Sequence, residues 1–145
     1  YGDNGREKPT LNKVMEAIKV AQGKDFVEEM DGKYEAHVAR GGTNISGGQK
    51  QRLSIARAIA RDPEIYIFDD SFSALDYKTD AALRRALKEN VGEATVIIVA
   101  QRISTIMHAD QILVLEDGQI VGRGTHEELM KTSEVYQQIA ESQLS

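Results

Sequence analysis

The chain has 145 residues, with 41% hydrophobic and 28% charged positions, an ordinary globular balance that excludes a disordered tail or a collagen-like repeat. Lys and Arg total 18 against 23 Asp and Glu, so the net charge of −5 disfavours a non-specific grip on nucleic acid. There is no Cys, which excludes disulfides and thiol metal sites. No apolar run approaches the roughly 18 residues of a membrane span, so the chain is expected to be soluble as it stands. Tyr1 in place of Met leads us to expect a piece cut from a longer parent.

From the start, residues 1–9 are polar and read as a loop. Thr10 can cap a helix over 11–22, with Val14, Ala17, Ile18 and Ala21 on one stripe and Gly23 as its stop. A short helix is predicted over 24–30 and a glycine-broken loop over 31–44. The next helix, 46–61, places Leu53, Ala56 and Ala60 on one face with Ile55 and Ile59 beside them, and ends at Asp62-Pro63. Ile65–Phe68 and Val96–Ala100 are continuous apolar runs, expected as strands (the second from Thr95 to Ala100) of a sheet covered on both faces. Between them, 76–91 reads as an amphipathic helix. Ile112–Leu115 and Gln119–Gly122 form a hairpin through Asp117-Gly118, and Thr125 with Glu128 makes a capping box for a closing helix. The alternation argues an α/β domain with a largely parallel sheet, in two parts: a helical subdomain over 1–62 and a strand-bearing part over 63–145.

Three stretches carry chemistry. In Ile45-Ser46-Gly47-Gly48-Gln49, Ser46 and Gln49 fit a capping box, yet two glycines in the first turn cost helix stability, about 1 kcal/mol each against Ala. They suggest that something approaches the backbone, and bare amides at a helix start attract anions. Capping and phosphate binding both remain open on this pattern. Asp69-Asp70 sits at the C-terminal end of a strand, the edge where open α/β sheets bind ligands. A nucleotide-borne Mg²⁺ would give two adjacent carboxylates a partner; a helix cap and a solvated acid would also explain them. Gln101 ends the second strand, where its amide could hydrogen-bond a phosphate but cannot become a cation. His37, His108 and His126 have no metal-site spacing and read as surface or packing residues.

The run Asn44–Arg52, continuing through Leu53-Ser54-Ile55-Ala56-Arg57-Ala58, resembles the signature sequence of ABC-type ATPases. That resemblance implies that Ser46, Gly47, Gly48 and Gln49 contact the γ-phosphate of an ATP held by a second nucleotide-binding domain. Ile45 stands where the family usually has Leu. Ile65–Asp69 is similar to the Walker B strand, with Asp69 at the magnesium-associated position, and Asp70 stands where the family has a Glu that orients the attacking water. Ser73-Ala74-Leu75-Asp76 matches the D-loop at the dimer interface, though Asp76 can equally cap the following helix. Val96–Thr105 resembles the switch strand, with Gln101 in place of His. The pattern G-x-x-x-x-G-K-[ST] of a Walker A loop does not occur; Gly23-Lys24 and Gly32-Lys33 both fail it.

The resemblance therefore implies the C-terminal half of a P-loop (RecA-like) ABC ATPase domain with its helical subdomain, the Walker A half lying upstream. The ending Asp110–Gly118 and Gly124–Leu129, with Arg40–Asn44, looks most like ABC exporters; Ala39 and Arg40 stand where these often have Glu. The implied parent is a membrane exporter subunit with this domain on the cytoplasmic side, using ATP and Mg²⁺, bound to a transmembrane domain and to a second nucleotide-binding domain. Asp70 and Gln101 imply a degenerate catalytic site and hence a heterodimer with a competent partner. The piece alone, lacking the phosphate cradle, is expected to be inactive and to self-associate through an uncovered sheet. A soluble ABC ATPase acting on DNA or ribosomes, or a non-enzymatic phosphate-binding module, are the alternatives; no nucleic acid partner is expected.

Overall fold

A computed structural model describes residues 8–144, so most of the loop expected over residues 1–9 lies outside the described residues. The chain divides into two compact units, the first ending at Val99 and the second beginning at Ala100.

The first unit contains α1 (Leu11–Val20), α2 (Lys24–Glu29), α3 (Gly47–Ile59), β1 (Ile65–Asp69), α4 (Tyr77–Asn90) and β2 (Thr95–Val99). Thr10 caps α1, its hydroxyl accepting from the Lys13 amide, and Ala17, Ile18 and Ala21 are buried as the stripe predicts. The end of α1 differs from expectation. Gln22, not Gly23, adopts the left-handed conformation (φ 59°). The Gly23 amide donates to the Ile18 carbonyl at 2.8 Å and the Gln22 amide to that of Lys19 at 3.1 Å, so a six-to-one bond closes the helix one residue early. The Gln22 carbonyl accepts from Arg52 on α3 at 2.9 Å. The Arg52 guanidinium also lies 4.7 Å from the centroid of Phe26, which ties α1, α2 and α3 into one packed group. Asp62 likewise takes a left-handed φ of 47° after α3, so the stop before Pro63 is a left-handed turn.

Strands β1 and β2 pair in parallel, Ile65 opposite Thr95 and Asp69 opposite Val99, with α4 as the crossover. Tyr66 and Phe68 are buried with Ile55, Leu83 and Leu87. The expectation of a sheet covered on both faces is corrected here. Ile65, Ile67, Ile97 and Val99 share the opposite face and are 57%, 68%, 47% and 53% exposed. The helices of this unit pack only on the Tyr66 side, and a continuous apolar run in one strand cannot reveal which of its two faces its own chain covers.

The second unit contains α5 (Ile103–Ile106), β3 (Ile112–Glu116), β4 (Gln119–Gly124), α6 (His126–Thr132) and α7 (Glu134–Leu144). Strands β3 and β4 pair antiparallel around Asp117 (φ 48°) and Gly118 (φ 76°), the two left-handed residues of a tight hairpin turn, as predicted. The described strands thus form two separate two-stranded sheets, one parallel and one antiparallel. Thr125 and Glu128 form both bonds of the expected capping box. Ile112, Val114, Leu129, Tyr136 and Ala140 make a separate small core. His126 Nδ1 lies 2.8 Å from the Tyr136 hydroxyl, while His37 and His108 are exposed.

Candidate functional site

The start of α3 is built by a complete capping box. Ser46 Oγ accepts from the Gln49 amide at 3.2 Å, and Gln49 Oε1 accepts from the Ser46 amide at 3.0 Å. Ahead of it, Asn44 braces the loop: its Oδ1 accepts from the Ala39 amide and its Nδ2 donates to the His37 carbonyl, both at 2.9 Å. Ser46 and Gly47 are exposed, and the amides of Gly47 and Gly48 make no hydrogen bond among the described residues. With the dipole of a three-and-a-half-turn helix behind them, those amides can hold an anion.

One of the glycines has a reason inside the chain. A Cβ at Gly48 would lie 3.1 Å from the Ala74 carbonyl oxygen, whereas one at Gly47 would meet only the Ala74 methyl, at 3.6 Å. The structure thus brings Ser46–Gln49 against the loop Ser73–Leu75. Gln51, one helical turn along, clasps the same loop. Its Nε2 donates to the Asp70 carbonyl at 3.0 Å and to Ser73 Oγ at 2.9 Å, and its Oε1 accepts from the Ala74 amide at 2.9 Å. No local pattern marks Gln51; only a contact 19–23 residues away in sequence reveals it.

Asp69 and Asp70 end β1 and are both exposed, so a partner is not required to offset burial of their charge. Asp70 takes a left-handed φ of 49°, its amide donates to the Val99 carbonyl at 3.0 Å, and its Oδ2 lies 3.2 Å from Ser73 Oγ. Among the described residues no group of three or more His, Asp or Glu side chains could hold a metal ion. Two exposed carboxylates suit a Mg²⁺ ion that keeps much of its water and arrives with phosphates, not one caged by protein. Asp76 caps α4, accepting from the Thr79 amide at 2.9 Å and its hydroxyl at 2.8 Å, and these bonds hold its carboxyl below the ordinary range. Gln101 lies in the second unit, exposed at the end of the switch-like segment. Its carbonyl accepts from Gln143 Nε2 at 2.8 Å, and Gln143 Oε1 takes the Ile103 amide at 2.8 Å, a brace supplied from forty residues away.

Among the described residues no helix is long and apolar enough to cross a membrane. Comparison with known proteins is consistent throughout. Residues 2–73 match the ABC transporter family model. An uncharacterized ABC transporter ATP-binding protein of Mycobacterium tuberculosis (strain ATCC 25618 / H37Rv) is 48% identical over 99% of this chain and 24% of its own length. ABC transporter B family member 13 of Arabidopsis thaliana is 42% identical over 87% of this chain and 10% of its own length. The solved structure of a bacterial Atm1-family ABC exporter with ATP bound superposes with a TM-score of 0.93 at 33% identity, over 99% of this chain and 25% of that one. The chain thus spans about a quarter of the length of the bacterial relative it matches.

Proposed function

Because this chain belongs to the ABC transporter family, as nucleotide-binding sequence of the exporter kind, we propose that it works as part of an ATP-driven exporter subunit and presents the start of α3 to a nucleotide held mainly by a second domain. The observation that carries this reading is the pair of amides at Gly47 (exposed) and Gly48 (half-buried), which make no hydrogen bond among the described residues, at a helix start whose capping box already satisfies the Ser46 hydroxyl and the Gln49 carboxamide oxygen. A phosphate would supply what those amides lack.

In the proposed cycle, ATP binding closes two nucleotide-binding domains, and hydrolysis reopens them to alternate access across a membrane. Ser46, Gly47, Gly48 and Gln49 hold the γ-phosphate from the opposite side. A bound Mg²⁺ ion would neutralise phosphate charge, and Asp69 is the residue placed to hold it, through water. Asp70 occupies the position of the group that orients the attacking water, one methylene short of Glu. Phosphoryl transfer depends on positioning, so that shortening, with Gln101 at the switch position, predicts slow turnover at this chain's own site and a more competent one supplied by a different partner subunit. The helical part over 1–62, the second half of the core over 63–145 and a Walker A half elsewhere in the parent complete the reading.

The test is restoration. In the full-length protein with its partner, Asp70→Glu combined with Gln101→His should raise ATP hydrolysis by about tenfold or more. No gain would overturn the degenerate-site reading. Loss of ATP-dependent association in Ser46→Arg would support the placement of the α3 start at the nucleotide, and unchanged association would overturn it.

A further inference from the structure

We infer that Gln51 is a positioning residue, which locks the start of α3 to the loop 70–74 so that the phosphate-facing amides and Asp70 form one rigid piece. Both polar atoms of its carboxamide reach that loop, in three hydrogen bonds: Nε2 donates to the Asp70 carbonyl (3.0 Å) and Ser73 Oγ (2.9 Å), and Oε1 accepts from the Ala74 amide (2.9 Å). The amide orientation is fixed by chemistry, since a flipped carboxamide would face its NH₂ against the Ala74 N–H. Ala74 is flanked on both of its peptide groups: its N–H donates to Gln51, and its carbonyl oxygen lies 3.1 Å from where a Cβ on Gly48 would stand.

The clasp also sets the Asp70 side chain. Ser73 Oγ accepts a hydrogen from Gln51, so its own proton is directed elsewhere. The Asp70 carboxylate oxygen at 3.2 Å and the Asp70 carbonyl at 3.3 Å both lie within reach as acceptors. Gln51 therefore acts on Asp70 twice, through the carbonyl of its left-handed peptide and through the Ser73 hydroxyl that faces its carboxylate. Movement at the α3 start is passed to the acid without a hinge between them. The kinetic consequence rests on the nucleotide reading above; the tie itself does not.

Gln51→Met keeps the length and loses all three bonds. Gln51→Glu keeps an acceptor for the Ala74 amide, but sets an oxygen against the Asp70 carbonyl and draws the Ser73 proton to itself. In the full-length protein, hydrogen exchange of the Ala74 amide should quicken about tenfold in Gln51→Met and stay near wild type in Gln51→Glu, with α4 amides unchanged in both. With the partner present, ATP turnover should fall about tenfold in both variants, with KM for ATP held within about twofold. Unchanged Ala74 exchange in Gln51→Met, or equal quickening across α4, would overturn the tie. Quickened exchange with unaltered kcat would overturn the positioning role. A wild-type complex of the full-length protein with its partner that hydrolyses no ATP would defeat the nucleotide reading instead, and the exchange pattern would then decide the tie alone.

Discussion

The carbonyl oxygen of Ala74 crowds the position where a side chain at residue 48 would begin, 3.1 Å from a Cβ placed on Gly48. The neighbouring Gly47 has only ordinary contact with Ala74, at 3.6 Å. Two adjacent glycines in the same turn thus have different reasons. Gly47→Ala should gain about 0.5 kcal/mol of stability from reduced chain freedom in the unfolded state. Gly48→Ala should lose about 1 kcal/mol, because the Ala74 carbonyl would have to shift while the adjoining N–H of the same residue is tied to Gln51. Urea unfolding of the two variants measures the difference, and equal midpoints would refute it.

Arg84 and Arg85 offer a second contrast. Arg84 Nε meets Asp80 Oδ1 at 3.0 Å, with the Asp80 side chain 1% exposed and its other oxygen without a partner among the described residues. Arg85 meets Glu89 at 3.3 Å with both side chains largely exposed. Arg84→Met leaves a buried, uncompensated carboxylate and should cost about 2–3 kcal/mol. Arg85→Met should cost less than about 0.5 kcal/mol. Equal losses in thermal unfolding would show that burial of Asp80 carries no penalty.

Asp76 and Glu128 define an acid dependence. Bonds from the Thr79 amide and hydroxyl lower the Asp76 carboxyl, and bonds from the Thr125 amide and hydroxyl lower that of Glu128. A lowered folded-state value means the unfolded chain binds protons first as pH falls. The stabilisation is therefore complete above the ordinary carboxylate range and disappears as pH drops through the folded values, from about pH 4 downward. Asp76→Asn and Glu128→Gln should each flatten the loss of stability between about pH 5 and pH 3, measured by urea titration at a series of pH values. An unchanged slope in both would count against the caps as its source.

The open face of β1 and β2 predicts association. Ile65, Ile67, Ile97 and Val99 lie together and uncovered. Contiguous apolar surface of this kind draws partners. Light scattering on the 145-residue chain should show mass rising with concentration, and Ile67→Glu should suppress the rise. A strict monomer at every concentration would exclude self-association through this face.

Local chemistry was legible before any coordinates. Thr10, Ser46, Asp76 and Thr125 all cap the helices they were expected to cap, because a cap involves a side chain and an amide three residues on. The hairpin at Asp117-Gly118 was legible for the same reason: its two left-handed residues are a local requirement. The ends of α1 and α3 were less so. Gln22 and Asp62 take left-handed backbones that their residue types do not demand, held by bonds such as that from Arg52 to the Gln22 carbonyl.

The pattern of residues alone carried the helix starts, the strands, the glycine pair and the two aspartates, since each depends on neighbours within a few positions or on a recognisable run. Folding in three dimensions alone assigned Gln51 to the loop 70–74, placed Ala74 against Gly48 and left Ile65 and Ile67 bare. Those outcomes depend on which distant segments meet. A carboxamide can satisfy its bonds with many partners, and an apolar strand can be covered on either face, so composition and periodicity are silent until packing selects one.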